Sequence, residues 1–304
     1  MSYNRVLITG AGGMLGGDVY RTFSKEFNTV LATDIDTNEE WIDHLDVRDM
    51  AACTKLCASY KPDLILHLAA LTDLEYCENN KDNAWSTNAL GTQYMADLAL
   101  KYDAPLAYIS TAGIFDGEKE SYTEADTPRP INQYGKSKYY GEQYLIDNVP
   151  QHFVFRAGWM MGGGPKKDKK FISKIFSQIA DGKKELFIVD DKSGTPTYTK
   201  DFAKGMLSTI QSGSNGLFNQ VCTGSTDRFE VAEALLEVLD LSNQITLTRV
   251  SSDYFKESYF ANRPESEILI NAHLNKLGLN KMRDWKICLE EYLVEFKEHL
   301  PVAS

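Results

Sequence analysis

"LITGAGGMLGG", residues 7–17, decides how the rest of the chain is read. A short apolar run gives way to three glycines spaced G-x-x-G-x-x-G, Gly10, Gly13 and Gly16, and a helical pattern follows. Glycine reaches positive φ in a tight turn, and with no Cβ it lets the backbone approach a ligand closely. A helix opening at such a turn offers free N–H groups and the positive end of its dipole to an anion. Strand, glycine turn and helix in this order predict a dinucleotide pyrophosphate site around Gly10, Gly13, Met14 and Leu15.

The chain on either side agrees. Apolar runs at 5–9, 29–34, 64–69, 105–110 and 152–157 suit strands buried on both faces. Helical stretches lie between them, at about 14–26, 49–60, 84–102 and 134–148. Strand-helix alternation predicts an α/β fold, a doubly wound parallel sheet of the Rossmann kind with ligands at the carboxyl ends of its strands. After Ala157 the pattern changes to a glycine- and lysine-rich loop, "GWMMGGGPKKDKK" (158–170). Helices at about 171–182, 200–212 and 227–240 follow, with short strands near 186–189, 216–219 and 245–250. This predicts a dinucleotide-binding lobe over 1–157, rejoined by about 196–219, and a smaller mixed α/β substrate lobe over 158–304. An amphipathic helix over 282–299 closes the chain.

Asp34 ends the second strand, where a carboxylate accepts hydrogen bonds from a ribose 2′- and 3′-hydroxyl and repels a 2′-phosphate. With Ile35 beside it, Asp36 adding negative charge and no arginine adjacent in sequence, it favours NAD(H), with NADP(H) as the alternative. Asp46 and Val47 in "LDVRD" (45–49) fall where an adenine would rest; Asp46 read as a helix cap is the plainer alternative.

The bulk properties narrow the partners. The 304 residues carry 32 basic and 43 acidic side chains, a net charge of -11. That balance argues against a nucleic-acid backbone as partner. No long apolar run suggests a membrane span, the N-terminus has no signal-peptide pattern, and five scattered cysteines suit a reduced, cytoplasmic setting. Neither Cys53 and Cys57 nor the dispersed histidines give ligand spacing, so no metal is expected.

The chemistry is carried by "YISTAGIFDG" (108–117) and "NQYGKSKYYGE" (132–142). The first is a strand that delivers hydroxyls, Ser110 and Thr111, to its carboxyl end. The second places Tyr134 and Lys138 four residues apart on one helix face. A nearby ammonium is expected to lower the phenol's pKa, so that Tyr134 exchanges a proton near neutral pH.

With these motifs the chain resembles the extended short-chain dehydrogenases/reductases, and within them the dTDP-4-dehydrorhamnose reductases. "HLAALTDLEYCE" (67–78), "FRAGWMMGGG" (155–164), "VDDKSGTPTYTKDFA" (189–203) and "NRPESEIL" (262–269) extend the likeness over nearly the whole chain. The resemblance implies that Tyr134 protonates a sugar C4 carbonyl as a nicotinamide delivers hydride, that Lys138 binds the nicotinamide ribose, and that Thr111 polarises the reacting oxygen. It implies that Leu68, Ala69 and Ala70 line the cofactor and that Thr72 meets the substrate. Trp159 would border nicotinamide and sugar, or be a core aromatic. Arg263 would touch the nucleotide of the donor, or form a structural ion pair. A homodimer is also within the family's range.

The chain departs from this pattern at one place. Relatives usually read S-T-D-Y-V-F-D-G where Ser110 to Gly117 stand, so Ala112 and Gly113 replace an acid and a tyrosine. Without an acid at 112, elimination of water is disfavoured and simple ketone reduction is retained. A hydride-returning 4-epimerase and a non-catalytic nucleotide-binding regulatory subunit are the alternatives. "PKKDKK" (165–170) is read as a solvated loop rather than as a clamp on a diphosphate.

Overall fold

The run Arg5–Thr9 becomes β1, exposed at Arg5 and buried from Val6 onward, as a strand covered on both faces requires. In the computed structural model, which describes residues 3–297, six further strands join it. They are β2 (Thr29–Asp34), β3 (Ile42–His44), β4 (Leu64–His67), β5 (Leu106–Thr111), β6 (His152–Ala157) and the late strand Gly216–Asn219. The order across the sheet is Gly216–Asn219, β6, β5, β4, β1, β2, β3, and every pair is parallel. The chain therefore winds one way from β1 to β3 and the other way from β4 onward. The switch between β1 and β4 opens a crevice at the strands' carboxyl ends, the binding place of such sheets.

Apolar layers cover both faces, one around Val6, Ile8, Val19 and Phe155 and one around Leu7, Ile65, Met95 and Tyr108. All five cysteines are free and buried.

Local details differ from the expectation. The strand expected over 64–69 stops at His67, because Ala69 turns out of the sheet against the glycine turn. A Cβ on Gly10 would stand 2.3 Å from Ala69 N. The helix expected over 84–102 is three pieces: Lys81–Trp85, a wide π turn Ser86–Leu90, and Gly91–Lys101. The π turn carries Asn88, which is fully buried. Its amide accepts from Leu71 N–H (2.8 Å) and donates to Leu71 O (2.9 Å) and Ser137 Oγ (3.0 Å). A regular helix satisfies its own groups; an inserted residue here ties two neighbouring segments together instead.

In the second half, Glu185–Val189 pairs parallel with Thr246–Val250, and Trp159–Met161 with Pro196–Tyr198. Ser193–Gly194 lies between Thr226–Asp227 and Ser266–Glu267. Strands of two or three residues are too short for periodicity to reveal, and these were not expected. The helix Thr199–Ser212 reaches back to the first helix, Gly16–Phe23, where Thr199 Oγ1 donates to Asp18 Oδ2 at 2.6 Å. The closing helix runs over Trp285–Lys297; residues 298 and 299 of the expected span lie outside the described residues. The hydroxyl of its Tyr292 lies 2.9 Å from both Gly162 O and Asp168 Oδ2, anchoring the base of the lysine loop.

Candidate active site

One cleft of about 1350 Å³ opens over the switch point, and every candidate cofactor, substrate and catalytic residue lines it. At the cofactor end, Gly10 has φ +75°, and its missing Cβ is required by the approach of Ala69. Gly13 is different: a Cβ there would meet only Gly10 O, at 3.5 Å, so its outer side is open. Asp34 fastens the turn. Its Oδ2 accepts from Gly12 N–H and its Oδ1 from Asp36 N–H, both at 2.9 Å. Ile35 is 57% exposed at the rim, an apolar plate for a flat base.

Asp46 is neither free nor a cap. Arg48 donates to it from Nε (2.9 Å) and Nη2 (2.6 Å), holding its carboxyl below the usual range. The cap of the helix Met50–Tyr60 is Asp49, whose carboxylate accepts from Ala52 N–H at 2.9 Å. Val47 is buried beside Gly91, and Leu68, Ala69 and Ala70 continue the wall.

The chemical centre stands where β5 meets the helix Gln133–Asn148. Asn132 caps that helix by accepting from Gly135 N–H at 2.7 Å. Tyr134 is in its first turn and Lys138 one turn on. Thr111, the last residue of β5, accepts from Gly113 N–H at 3.1 Å and hydrogen-bonds Tyr134. Ser110 Oγ is buried with no hydrogen-bond partner among the described residues. Lys138 is 3% exposed, and its Nζ lies 4.0 Å from the centre of the Tyr108 ring. The Tyr108 hydroxyl donates to Lys138 O at 3.0 Å.

Here the structure corrects the expected electrostatics. Burial pushes the Tyr134 phenol up to about 12, although the Thr111 hydrogen bond pulls the other way. Burial also pushes Lys138 down to about 7, with Glu142 opposing. Desolvation is the largest cause for both groups. Tyr134 is therefore a protonated acid at neutral pH, the state needed to give a proton. His67, beneath the site, bridges Thr9 Oγ1 (2.7 Å) and Thr92 Oγ1 (3.1 Å), and burial holds it at about 3. It is a neutral packing residue, not a base.

The opposite wall comes from the second half of the chain. Thr72 accepts from Lys170 Nζ through both its carbonyl (3.0 Å) and its hydroxyl (3.1 Å). The lysine loop is thus only partly the solvated loop expected. Lys166 and Lys167 pair with Glu39, but Lys169 and Lys170 line the cleft with Lys174. Trp159 is half-buried in the wall. Arg228 lies over its ring, Cζ 3.6 Å from the centre, and its Nε1 donates to Glu267 Oε2 at 2.8 Å. Arg263 lines the cleft and also forms the anticipated ion pair, donating to both Glu75 oxygens at 2.8 and 2.9 Å.

Sequence reasoning missed Glu267, Arg228 and Lys170 as cleft residues. Lys170 stood in a loop already noted for its charge, and Glu267 in a quoted motif. Arg228 had no signal, since a lone arginine after a capping aspartate looks like any helix start. Among the described residues no three His, Cys, Asp or Glu side chains gather as metal ligands, and no helix is long and apolar enough to cross a membrane.

Comparisons with known proteins agree with this geometry. A dTDP-4-dehydrorhamnose reductase of Mycobacterium tuberculosis is 31% identical over 291 residues, covering 94% of this chain and 91% of that protein. The crystal structure of a dTDP-4-dehydrorhamnose reductase from Clostridium acetobutylicum superposes with a TM-score of 0.87 at 30% identity, covering 96% of this chain and 99% of that one. A dTDP-4-dehydrorhamnose reductase from Bacillus anthracis, solved in complex with NADP, gives a TM-score of 0.84 at 29% identity over 97% of this chain and all of that one. The family described as RmlD substrate binding domain matches residues 4–298, and the chain belongs to it.

Proposed function

We propose that this chain is an NAD(P)H-dependent oxidoreductase of the short-chain dehydrogenase/reductase type that reduces the C4 carbonyl of a dTDP-linked 4-dehydro-6-deoxy sugar. The observation that carries this is the convergence of Thr111, a protonated Tyr134 and a buried Lys138 at the switch point, in one cleft with the glycine turn. At about 1350 Å³ the cleft exceeds the usual ~300–1,000 Å³ of a single-ligand pocket and suits two ligands side by side.

The residues fit a dinucleotide. The open side of Gly13 and the following helix N-terminus receive a pyrophosphate, Asp34 faces a ribose, and Lys138 has N–H donors that no side-chain acceptor takes among the described residues. The bound nicotinamide supplies hydride to C4. Thr111 and Tyr134 hold the carbonyl oxygen, and Tyr134 donates its proton to it as negative charge develops. Lys138 holds the nicotinamide ribose and stabilises the phenolate left behind. Thr72, Trp159 and Arg263 contact the nucleotide sugar.

The complete Thr-Tyr-Lys set argues against a purely regulatory subunit. The proposal includes a dinucleotide lobe over 1–157 rejoined by about 196–219, a substrate lobe over 158–304, a cytoplasmic location and a homodimer. It is tested by mixing the protein with NADH or NADPH and dTDP-4-dehydrorhamnose and following nicotinamide absorbance. Absence of oxidation with this and other nucleotide-linked 4-keto sugars sinks it. Tightly held NAD with no external consumption would favour the epimerase.

A further inference from the structure

Gly113 marks an opening in the wall of the site. A Cβ built there would lie 3.5 Å from Thr111 Oγ1, 3.6 Å from Glu267 Oε1 and 3.7 Å from Tyr134 Cε1. The absent side chain therefore leaves a space bounded by the oxygen-polarising hydroxyl, the proton donor's ring and a carboxylate from a distant part of the chain.

Glu267 is held there. Its strand, Ser266–Glu267, pairs with Ser193–Gly194. Alternation along a strand sends Ser266 the other way, where its hydroxyl donates to Glu120 O. Trp159 Nε1 fixes Oε2 at 2.8 Å. Oε1 accepts no hydrogen bond among the described residues. Arg228, stacked on the same Trp159 ring, meets the charge of Glu267 through space without hydrogen-bonding Oε1, so that oxygen beside the reacting centre is free to accept a hydrogen bond.

We propose that Glu267 is a specificity-determining residue that accepts a hydrogen bond from the hydroxyl on the carbon next to the reacting carbonyl, the C3 hydroxyl of the sugar. This rests on the reductase reading of the same cleft. With the C4 oxygen at Thr111 and Tyr134, the flanking substituents are a hydroxyl on C3 and a methyl on C5. Only the hydroxyl can donate, so the carboxylate orients the ring as well as selecting it. An acceptor that binds through charge also prefers a protonated amine at C3 to a hydroxyl, whereas a C3-deoxy sugar leaves it unpaired.

The test compares wild type, Glu267→Ala and Glu267→Gln on a dTDP-linked 4-keto-6-deoxy sugar and its 3-deoxy counterpart, with the affinity for the reduced dinucleotide measured in parallel. Wild type should favour the 3-hydroxy sugar in kcat/KM by about tenfold or more, as expected for a hydrogen bond to a charged group. Glu267→Ala should erase that preference chiefly through KM, Glu267→Gln should keep part of it, and dinucleotide affinity should not move. Equal losses on both sugars would mean that Glu267 only props Trp159, and would overturn the inference. An unchanged preference in Glu267→Ala would overturn it too. Wild type inactive on both sugars would instead bring down the reductase reading, and this inference with it.

Discussion

Lys138 Nζ sits 4.0 Å above the ring of Tyr108, an aromatic face in place of a carboxylate. A ring face attracts a cation, but far less than a carboxylate would, and it replaces little of the hydration lost on burial. That is why Lys138 falls from 10.5 to about 7. Between about pH 7 and 10.5 the unfolded chain holds the lysine proton and the folded chain does not. Stability from this group therefore rises with pH across that window, by up to about 1.4 kcal/mol for each step of one in pH. Denaturant unfolding of cofactor-free wild type and Lys138→Met at pH 7 and 9.5 measures it. The wild-type advantage should grow with pH, and a constant difference would show that Lys138 keeps its charge. Readings stay below pH 10, where Tyr134, raised to about 12, begins to act in the opposite direction.

Tyr134→Phe removes the proposed proton donor and its bond to Thr111 while keeping the ring. Loss of a positioned general acid costs about 10²–10⁴-fold in turnover. Steady-state kinetics should show that loss in kcat, with dinucleotide binding by fluorescence nearly unchanged. Unaltered turnover would remove Tyr134 from its role.

Asp34 bears on the choice between NADH and NADPH. Its two oxygens are held by Gly12 and Asp36 N–H groups, so the carboxylate is a fixed negative charge beside the proposed ribose position. Asp34→Ala should raise the ratio of kcat/KM for NADPH over NADH, tenfold for each ~1.4 kcal/mol of repulsion relieved. It should also cost about 1–2 kcal/mol of stability through the lost turn bonds. Wild type that already prefers NADPH would contradict the Asp34 reading.

Gly10 and Gly13 look alike in the motif and differ in the fold. Gly10→Ala places a Cβ 2.3 Å from Ala69 N at φ +75°, so β1 and the segment after β4 must separate. The cost should exceed the ~1 kcal/mol of an ordinary glycine-to-alanine change at positive φ. Gly13→Ala meets nothing closer than 3.5 Å and should fold normally, losing dinucleotide affinity alone. Thermal unfolding with and without dinucleotide separates the two; equal destabilisation would refute the distinction.

The contrast shows which features the chain announces. Elements buried on both faces, such as Val6–Thr9 and Leu64–His67, write themselves as apolar runs, and the glycine turn and the Tyr-x-x-x-Lys spacing are local, so all were readable in order. Glu267 and Gly113 are 154 positions apart by their numbering and meet because the segment around Glu267 runs beside 117–122, where Tyr122 bridges Leu269, and pairs with Ser193–Gly194, ladders too short to leave a pattern. The burial that reverses the expected shift of Tyr134 is likewise a property of the assembled cleft. So is the capture of Asp46 by Arg48, since spacing alone does not say which acid caps the next helix.

Asn88 offers the sharpest check that the π turn positions the site. Its amide bonds Leu71 in both directions and Ser137 Oγ, joining the cofactor-side loop to the helix that carries Tyr134 and Lys138. Ser137 Oγ in turn donates to Tyr134 O at 2.8 Å. Asn88→Ala strands buried partners at both ends and should lower stability by about 2–4 kcal/mol, at ~1–3 kcal/mol for each group left unsatisfied. Asn88→Asp keeps the acceptor for Leu71 N–H but loses the donor to Leu71 O and Ser137. If Asn88 holds the Tyr134 helix in place, both variants should lose kcat beyond what their stability explains, at a temperature where they remain folded. Full turnover in a folded Asn88→Ala would show that the helix keeps its position without this clamp.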